Sequence, residues 1–152
     1  METRVSAERV IGAPAGVVYG LLADYREHHR PEGFLPPAFT DLVVEKGGVG
    51  EGTQIRVTLR LAGRSRTMTL EITEPEPGRV LVESGPSART TFTVEPAGDR
   101  LARVRLDTVL WANGLEGLIS RVLVPRLLKP LGNDELERLD RYARAYEVHS
   151  HS

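Results

Sequence analysis

Two adjacent histidines, His28 and His29, carry the side chains most easily used for acid–base chemistry near neutral pH. Histidine is the usual general base of enzymes and a common metal ligand. Adjacent positions on a helix point about 100° apart, so the two are not expected to share a metal ion. One of them could act at the mouth of a cavity, and the alternative is a solvated helix end. Tyr25 is the third acid–base candidate if the protein is an enzyme.

Aromatic side chains flank the same region of the chain. Tyr25, Phe34 and Phe39 surround a segment that also contains Pro31, Gly33, Pro36 and Pro37. These rings could form an apolar rim that holds a ligand. Alternatively, they pack the segment onto the rest of the protein. The prolines forbid regular structure over several residues here.

Charged and hydroxyl side chains alternate with apolar ones further along the chain. The arginines and acids at the polar positions have mixed signs, which predicts a solvated outer face rather than a basic stripe. These residues are Arg56, Arg60, Arg103, Arg105, Glu71, Glu83 and Asp107. Thr90 and Thr108 share the parity of their apolar neighbours. They are either the sparse polar groups of a mostly apolar pocket or ordinary strand threonines.

Several kinds of chemistry are excluded or disfavoured by what the sequence lacks. It contains no cysteine, so disulfides and thiolate nucleophiles are impossible. No phosphate-binding loop, His-Glu-x-x-His or Gly-x-Ser-x-Gly motif is present. The net charge of -1 argues against a dedicated nucleic-acid binder. We therefore expect no metal, no cofactor and no nucleic-acid partner.

The strongest structural signal is a series of alternating segments between Phe39 and Leu110. Apolar residues at every second position predict strands with one apolar face and one wet face. The clearest examples are Ile55, Val57, Leu59 and Met68, Leu70, Ile72. Short turns join most of the six predicted strands, which therefore pair as an antiparallel meander. Something must cover its apolar face.

Helices are predicted on both sides of this series. A first strand over residues 4–11 precedes a short helix that Ala13-Pro14-Ala15 opens, and residues 24–30 form a second short helix. The apolar run from Leu115 to Leu131 predicts a long helix that covers the sheet. Pro125 and Gly132 predict a kink or an interruption over residues 125–133. Asp134 and Glu137 resemble a capping box, which would begin the helix again.

Length and composition set the overall organisation. The 152 residues are the size of one domain, and 40% of them are hydrophobic, enough for a sizeable core. We expect one α+β domain over residues 1–148 and a polar tail over 149–152. No signal peptide and no apolar run of about 18 residues is found, so the expected location is cytoplasmic. The sequence makes no prediction of the oligomeric state.

The order of elements resembles the helix-grip fold of the START-like (SRPBCC) superfamily, in its polyketide cyclase/dehydrase and lipid-transport branch. The resemblance rests on Ile11 to Tyr19, Leu22 to Tyr25, the turn from Gly47 to Thr53, Glu74 to Arg79, and Leu136 to Tyr142. It implies a curved antiparallel sheet wrapped around a long C-terminal helix, with two short helices after the first strand. It also implies a cavity between sheet and helix, entered near Tyr25 to Phe39.

The candidate ligand-binding residues combine this cavity with the inward parity of the strands. They are Tyr25, His28, Phe34, Phe39, Ile55, Val57, Leu59, Met68, Leu70, Phe92, Leu106, Thr108, Leu123 and Leu127. The first functional hypothesis is a carrier or sensor of a small hydrophobic molecule such as a lipid, an isoprenoid or an aromatic polyketide. The second is a cyclase or dehydratase that uses His28, His29 or Tyr25 as acid or base. The third is a module whose apolar groove holds a partner protein.

Overall fold

A computed structural model describes residues 2–61, 63–111 and 114–150, and for 114–125 and 149–150 it describes the backbone alone. Within these ranges seven strands and two helices follow one another. They are β1 (Glu2–Ile11), α1 (Ala15–Ala23), β2 (Phe39–Lys46), β3 (Gln54–Leu61), β4 (Arg64–Glu76), β5 (Val80–Ser84), β6 (Ala88–Gly98), β7 (Leu101–Trp111) and α2 (Gly114–Ser150).

The strands form one antiparallel sheet in the order β1-β7-β6-β5-β4-β3-β2. Strands β2 to β7 are the predicted meander, and β1 closes it by pairing with β7. In the β3–β4 pair Ile55 lies opposite Leu70 and Val57 lies opposite Met68. Ile55, Val57 and Leu70 are buried. The predicted register is therefore correct, since a one-residue slip would turn these side chains to solvent.

The expected second short helix is not formed, and a series of turns replaces it. The carboxylate of Asp24 accepts hydrogen bonds from the N–H groups of Arg26 and Glu27, each 3.1 Å long. The N–H of His28 reaches the carbonyl of Asp24 at 3.4 Å, which closes a single helical turn. Asp24 side-chain bonding thus favours a turn over a helix, and Pro31 follows too soon for a helix to extend.

The predicted long C-terminal helix is formed as one continuous element. Of the two alternatives expected over residues 125–133, the interruption with a new start at Asp134 is therefore wrong. Asp134 does not cap a helix, because its carboxylate pairs with Arg138 one turn later at 3.0 Å. A proline removes one hydrogen bond of a helix without necessarily ending it. Gly132 has a packing role: a Cβ atom there would lie 3.3 Å from Cβ of Ala7. The glycine lets α2 approach β1 closely.

Packing along β1 fixes the second half of α2. Leu136, Leu139 and Ala143 are buried in the same core as β1 and α1. Asp140, which is only 5% exposed, ties the helix to the end of β1. Its Oδ1 accepts a hydrogen bond from the N–H of Gly12 at 2.8 Å, and its Oδ2 pairs with Arg9 at 3.3 Å. The helix is therefore held at a fixed position over the sheet.

Two further expectations concern the ends of the chain and membranes. Helix α2 includes the first two residues of the expected tail, His149 and Ser150, while 151–152 lie outside the described residues. Among the described helices none is sufficiently long and apolar to cross a lipid bilayer.

Candidate functional site

A cavity of about 120 Å³ lies between the inner face of the sheet and α2. Strands β3 and β4 form one wall, β6 and β7 a second, and one face of α2 a third. Leu35, Phe39 and Leu42 close the remaining side. The lining also includes Ile55, Val57, Leu59, Met68, Leu70, Ala88, Leu106, Leu110, Leu128 and Leu131. Aliphatic side chains thus dominate the cavity, as the parity of the strands predicted.

The volume is smaller than the roughly 300 Å³ at which ligand pockets of proteins usually begin. Phe39 and Leu42 of β2 line the cavity and are only half-buried. An occupant larger than a single ring therefore needs more volume than the cavity has in this structure.

Glu83 on β5 contributes the first carboxyl group to this apolar lining. Its position follows from the register, because Glu83 lies opposite the buried Ile72 of β4 and opposite Thr90 of β6. The hydroxyl of Tyr25 donates a hydrogen bond to Oε2 of Glu83 at 2.6 Å. Burial raises the pKa of Glu83 to about 7, although the Tyr25 hydrogen bond acts to lower it.

Glu135 on α2 contributes the second carboxyl group. It has no hydrogen bond or ion pair among the described residues, whereas every fully enclosed side-chain nitrogen or oxygen there has a partner. Its oxygens are therefore accessible, and Glu135 is part of the cavity lining. The residue as a whole is partly exposed, yet burial of the carboxyl and repulsion from Glu83 raise its pKa to about 8.

His29, Glu83 and Glu135 form the polar end of the cavity. The ring of His29 already has partners within the protein. Its ring stacks on Tyr25 with centroids 4.0 Å apart, and its Nε2 is 2.7 Å from the carbonyl oxygen of Leu22. That carbonyl can only accept, so Nε2 carries the proton. Burial lowers the pKa of His29 to about 4, so the ring is neutral near pH 7. It supplies no positive charge to the two carboxyl groups.

Two threonines lie beside the carboxyl groups. Thr90 and Thr108 face each other across β6 and β7, and their hydroxyl groups are 3.2 Å apart. Both line the cavity, so they are polar groups of a mostly apolar pocket. The cavity thus has an apolar body and one polar end.

Eight of the fourteen candidate ligand-binding residues line the cavity: Phe39, Ile55, Val57, Leu59, Met68, Leu70, Leu106 and Thr108. Five others do not. Tyr25, Phe34 and Phe92 are buried in the core around it, Leu127 is half-buried on α2, and His28 lies outside. The side chain of Leu123 lies outside the described residues.

The structure separates the two histidines. Nδ1 of His28 is 2.5 Å from the hydroxyl of Tyr142, and its ring lies edge-on to Tyr142 and Tyr146. It therefore ties the loop to α2 rather than facing the cavity, while His29 lies at the cavity wall. Phe34 contacts His29 edge-on at 4.6 Å and packs the loop.

Sequence reasoning missed both carboxyl groups of the cavity. The alternating pattern predicts Glu83 on the solvated outer face, and this prediction is wrong, because Glu83 lines the cavity. Its neighbours Val80, Leu81 and Val82 are all apolar, so β5 has no alternation from which to read its inward face. For Glu135 a signal existed: it follows Leu128 and Leu131 at helical spacing, on the face that lines the cavity.

The arrangement can solvate and bind a mostly apolar molecule with one polar group, and its two carboxyl groups can give or take a proton. No group of three or more histidine or acidic side chains in the described part of the chain is placed to hold a metal ion.

Comparison with known proteins places the chain in a family. The model of the family "Polyketide cyclase / dehydrase and lipid transport" matches residues 2–144. No protein with a curated description matches the chain significantly.

Solved structures show the same fold. The KanY protein is 24% identical with a TM-score of 0.80, covering 95% of this chain and 99% of its own. A protein of Thermus thermophilus is 25% identical with a TM-score of 0.73 and the same coverage. The Zhui aromatase/cyclase of a Streptomyces species is 18% identical with a TM-score of 0.58, covering 98% of this chain and 90% of its own. The fold is that of a hydrophobic-ligand-binding domain, and the chain belongs to the polyketide cyclase/dehydrase and lipid transport family.

Proposed function

We propose that this protein binds a small, mostly apolar molecule in the cavity and acts as its carrier or sensor. The observation that supports the proposal is the cavity itself, an unfilled space lined by aliphatic side chains of the sheet and α2. A molecule that fills it removes apolar surface from water, which contributes about 25 cal/mol per Å². Binding should therefore tolerate varied apolar bodies and depend little on salt. Carriage of a lipid and residence in the cytoplasm are parts of this proposal.

The entrance in this proposal is the β2 side of the cavity. Phe39 and Leu42 are half-buried there, and the turns of residues 24–38 precede them. A charge at Phe39 would place a carboxylate against the apolar lining and oppose entry. A charge at Thr40, the next residue of the strand, would not, because Thr40 is exposed. The two positions give a matched pair of variants.

The test is titration with an environment-sensitive apolar dye, followed by competition with fatty acids, isoprenoids and flat aromatics. We expect saturable dye binding by the wild type and by Thr40→Asp, and loss of binding by a folded Phe39→Asp. Circular dichroism and thermal unfolding establish that both variants are folded. Equal binding by the two variants, or no saturable binding by the wild type, contradicts the proposal.

A second candidate function is acid–base catalysis on the bound molecule, of the cyclase or dehydratase kind. It is favoured by one observation, that two carboxyl groups with raised pKa values face the cavity. Ring closure and loss of water would need one carboxylate to remove a proton from carbon and one carboxylic acid to protonate the departing hydroxyl. The name of one structural neighbour, an aromatase/cyclase, agrees with this class of reaction.

Variants separate catalysis from carriage. If the protein is an enzyme, Glu83→Gln and Glu135→Gln abolish turnover of a bound aromatic substrate while its affinity stays within a few-fold. If it is a carrier, no turnover is found with any competitor that displaces the dye. The position of the cavity between the sheet and α2 favours either function over a groove for a partner protein, which would need a larger exposed apolar surface.

A further inference from the structure

The polar end of the cavity contains acidic groups without a counter-charge. Glu83 and Glu135 are its only carboxyl groups among the described residues, and no lysine or arginine belongs to the described lining. Acidic side chains are rarely buried unless they are paired. The groups around them do not supply the missing positive charge: Tyr25 donates one hydrogen bond to Glu83, and His29 is neutral.

Glu135 points to a bound molecule more directly than Glu83 does. Its carboxyl has no hydrogen bond or ion pair among the described residues, and Glu135 is part of the cavity lining, so its oxygens remain accessible for a bond to a bound molecule. A carboxyl in such a position loses hydration and gains no compensating bond from the protein. Asp134, its neighbour on α2, adds further negative charge. In its ionised form this group only accepts hydrogen bonds, so a donor would satisfy it, and a cationic donor would also neutralise its charge.

From this juxtaposition we propose that the ligand is an apolar amine, whose ammonium group is bound by Glu83 and Glu135 while its hydrocarbon part occupies the aliphatic body of the cavity. This rests on the proposed ligand-binding function and adds the chemical class of the ligand. An ammonium group has three donors, and hydrogen bonds between ionised groups are about twice as strong as neutral ones. In the ligand-free protein the two carboxyl groups are partly protonated near pH 7, because their pKa values are about 7 and about 8. Binding of a cation stabilises their ionised forms, so it releases protons to the solvent.

The experiment compares three probes of one size on the intact protein: benzylamine, benzyl alcohol and benzoate. Each is titrated into labelled protein and followed by the amide and methyl shifts of residues around the cavity. Calorimetry in phosphate and in HEPES buffer counts the protons released. We expect benzylamine to bind at least tenfold more tightly than benzyl alcohol, with net proton release at pH 7, and benzoate to bind weakest.

Two variants link the preference to the site. Glu135→Gln keeps the shape of the side chain and removes its charge. It should reduce the preference for benzylamine over benzyl alcohol about tenfold without lowering the affinity for benzyl alcohol. Glu71→Gln, on the exposed face of the adjacent strand, should leave the preference unchanged. Glu83→Gln provides a second variant of the same kind if Glu135→Gln is poorly folded.

The outcomes separate this inference from the proposed function. Binding of benzyl alcohol equal to that of benzylamine, or tighter binding of benzoate, overturns the amine inference and leaves ligand binding in place. A benzylamine preference that survives both Glu83→Gln and Glu135→Gln also overturns it. If neither the three probes nor the apolar dye binds, both the amine inference and the proposed ligand-binding function are overturned.

Discussion

The phenol hydroxyl of Tyr25 donates a 2.6 Å hydrogen bond to Oε2 of Glu83. The bond connects the loop after α1 to the middle of the sheet, 58 residues further along the chain. It stabilises the ionised form of a carboxyl group whose burial favours the neutral form. The state of the cavity's polar end therefore depends on a side chain outside its lining.

Tyr25→Phe tests this dependence. The variant keeps the ring that stacks on His29 and removes the donor, so the pKa of Glu83 should rise above about 7. Loss of the bond should also cost about 1 kcal/mol of stability. The NMR chemical shift of the Glu83 carboxyl carbon, measured as a function of pH, gives this pKa. Tyr19→Phe, which removes a hydrogen bond to Glu74 instead, should leave the Glu83 titration unchanged.

Glu83 and Glu135 predict how stability depends on pH. Their pKa values are raised to about 7 and about 8 from an ordinary value of 4.5, so the folded state holds protons that the unfolded chain has released. Stability should fall as the pH rises from about 5 to about 8, by up to about 1.4 kcal/mol per pH unit for each carboxyl. His29, with a pKa lowered to about 4, acts in the opposite direction below about pH 6.5.

Urea unfolding at several pH values isolates the Glu135 contribution. Glu135→Gln has no proton to lose, so its stability relative to the wild type should increase steadily between pH 5 and pH 8. The exposed Glu71→Gln is the matched control and should show a constant difference. A constant difference for Glu135→Gln would mean that its carboxyl is hydrated in the folded protein.

Leu139→Ala should be the costly truncation in α2. Leu139 is 0% exposed in the shared core, so its loss should destabilise the protein by about 2–5 kcal/mol. Leu127, which the apolar periodicity alone would select, is half-buried, and Leu127→Ala should cost clearly less. Unfolding by urea or heat measures both. Equal costs would contradict the packing of the second half of the helix on β1.

Asp140→Asn tests the attachment of α2 to β1. The carboxylate accepts bonds from Gly12, Arg9 and Arg144, and together they hold its pKa below the usual range although burial acts to raise it. Losing the charge should cost about 1–3 kcal/mol near pH 7. Asp134→Asn, which removes a partly exposed pair with Arg138, should cost less than about 1 kcal/mol. If both variants cost the same, Asp140 is not the fixing contact.

The sheet could be predicted because the alternation of apolar and polar residues is contained within each strand. Ile55, Val57, Met68 and Leu70 alternate with polar residues, and that alternation alone sets which face is buried. Helix α2 was harder, because Pro125 and Asp134 carry stop and start signals that packing overrides. The ordinary rule for helix ends gives no weight to the contact of Gly132 with Ala7.

The polar end of the cavity could not be found in the same way. Glu83 and Glu135 are far apart in sequence, and only Glu135 carries a local signal, its helical spacing from Leu128 and Leu131. Their proximity depends on the register of β5 against β4 and on the rotation of α2, both of which are tertiary. The same holds for His28 and His29, since only the path of the turns decides which of the two reaches the cavity wall.

Intermolecular NOEs from a bound apolar probe to protein methyl groups test the central claim, that the space between sheet and α2 is a ligand site. With benzene as the probe, we predict NOEs to the methyl groups of Ile55, Val57, Leu70 and Leu106, which line the cavity. Leu22 and Val94, buried in the core elsewhere, should give none. NOEs confined to exposed residues such as Val10 and Val49, or no NOEs at saturating benzene, would contradict the account.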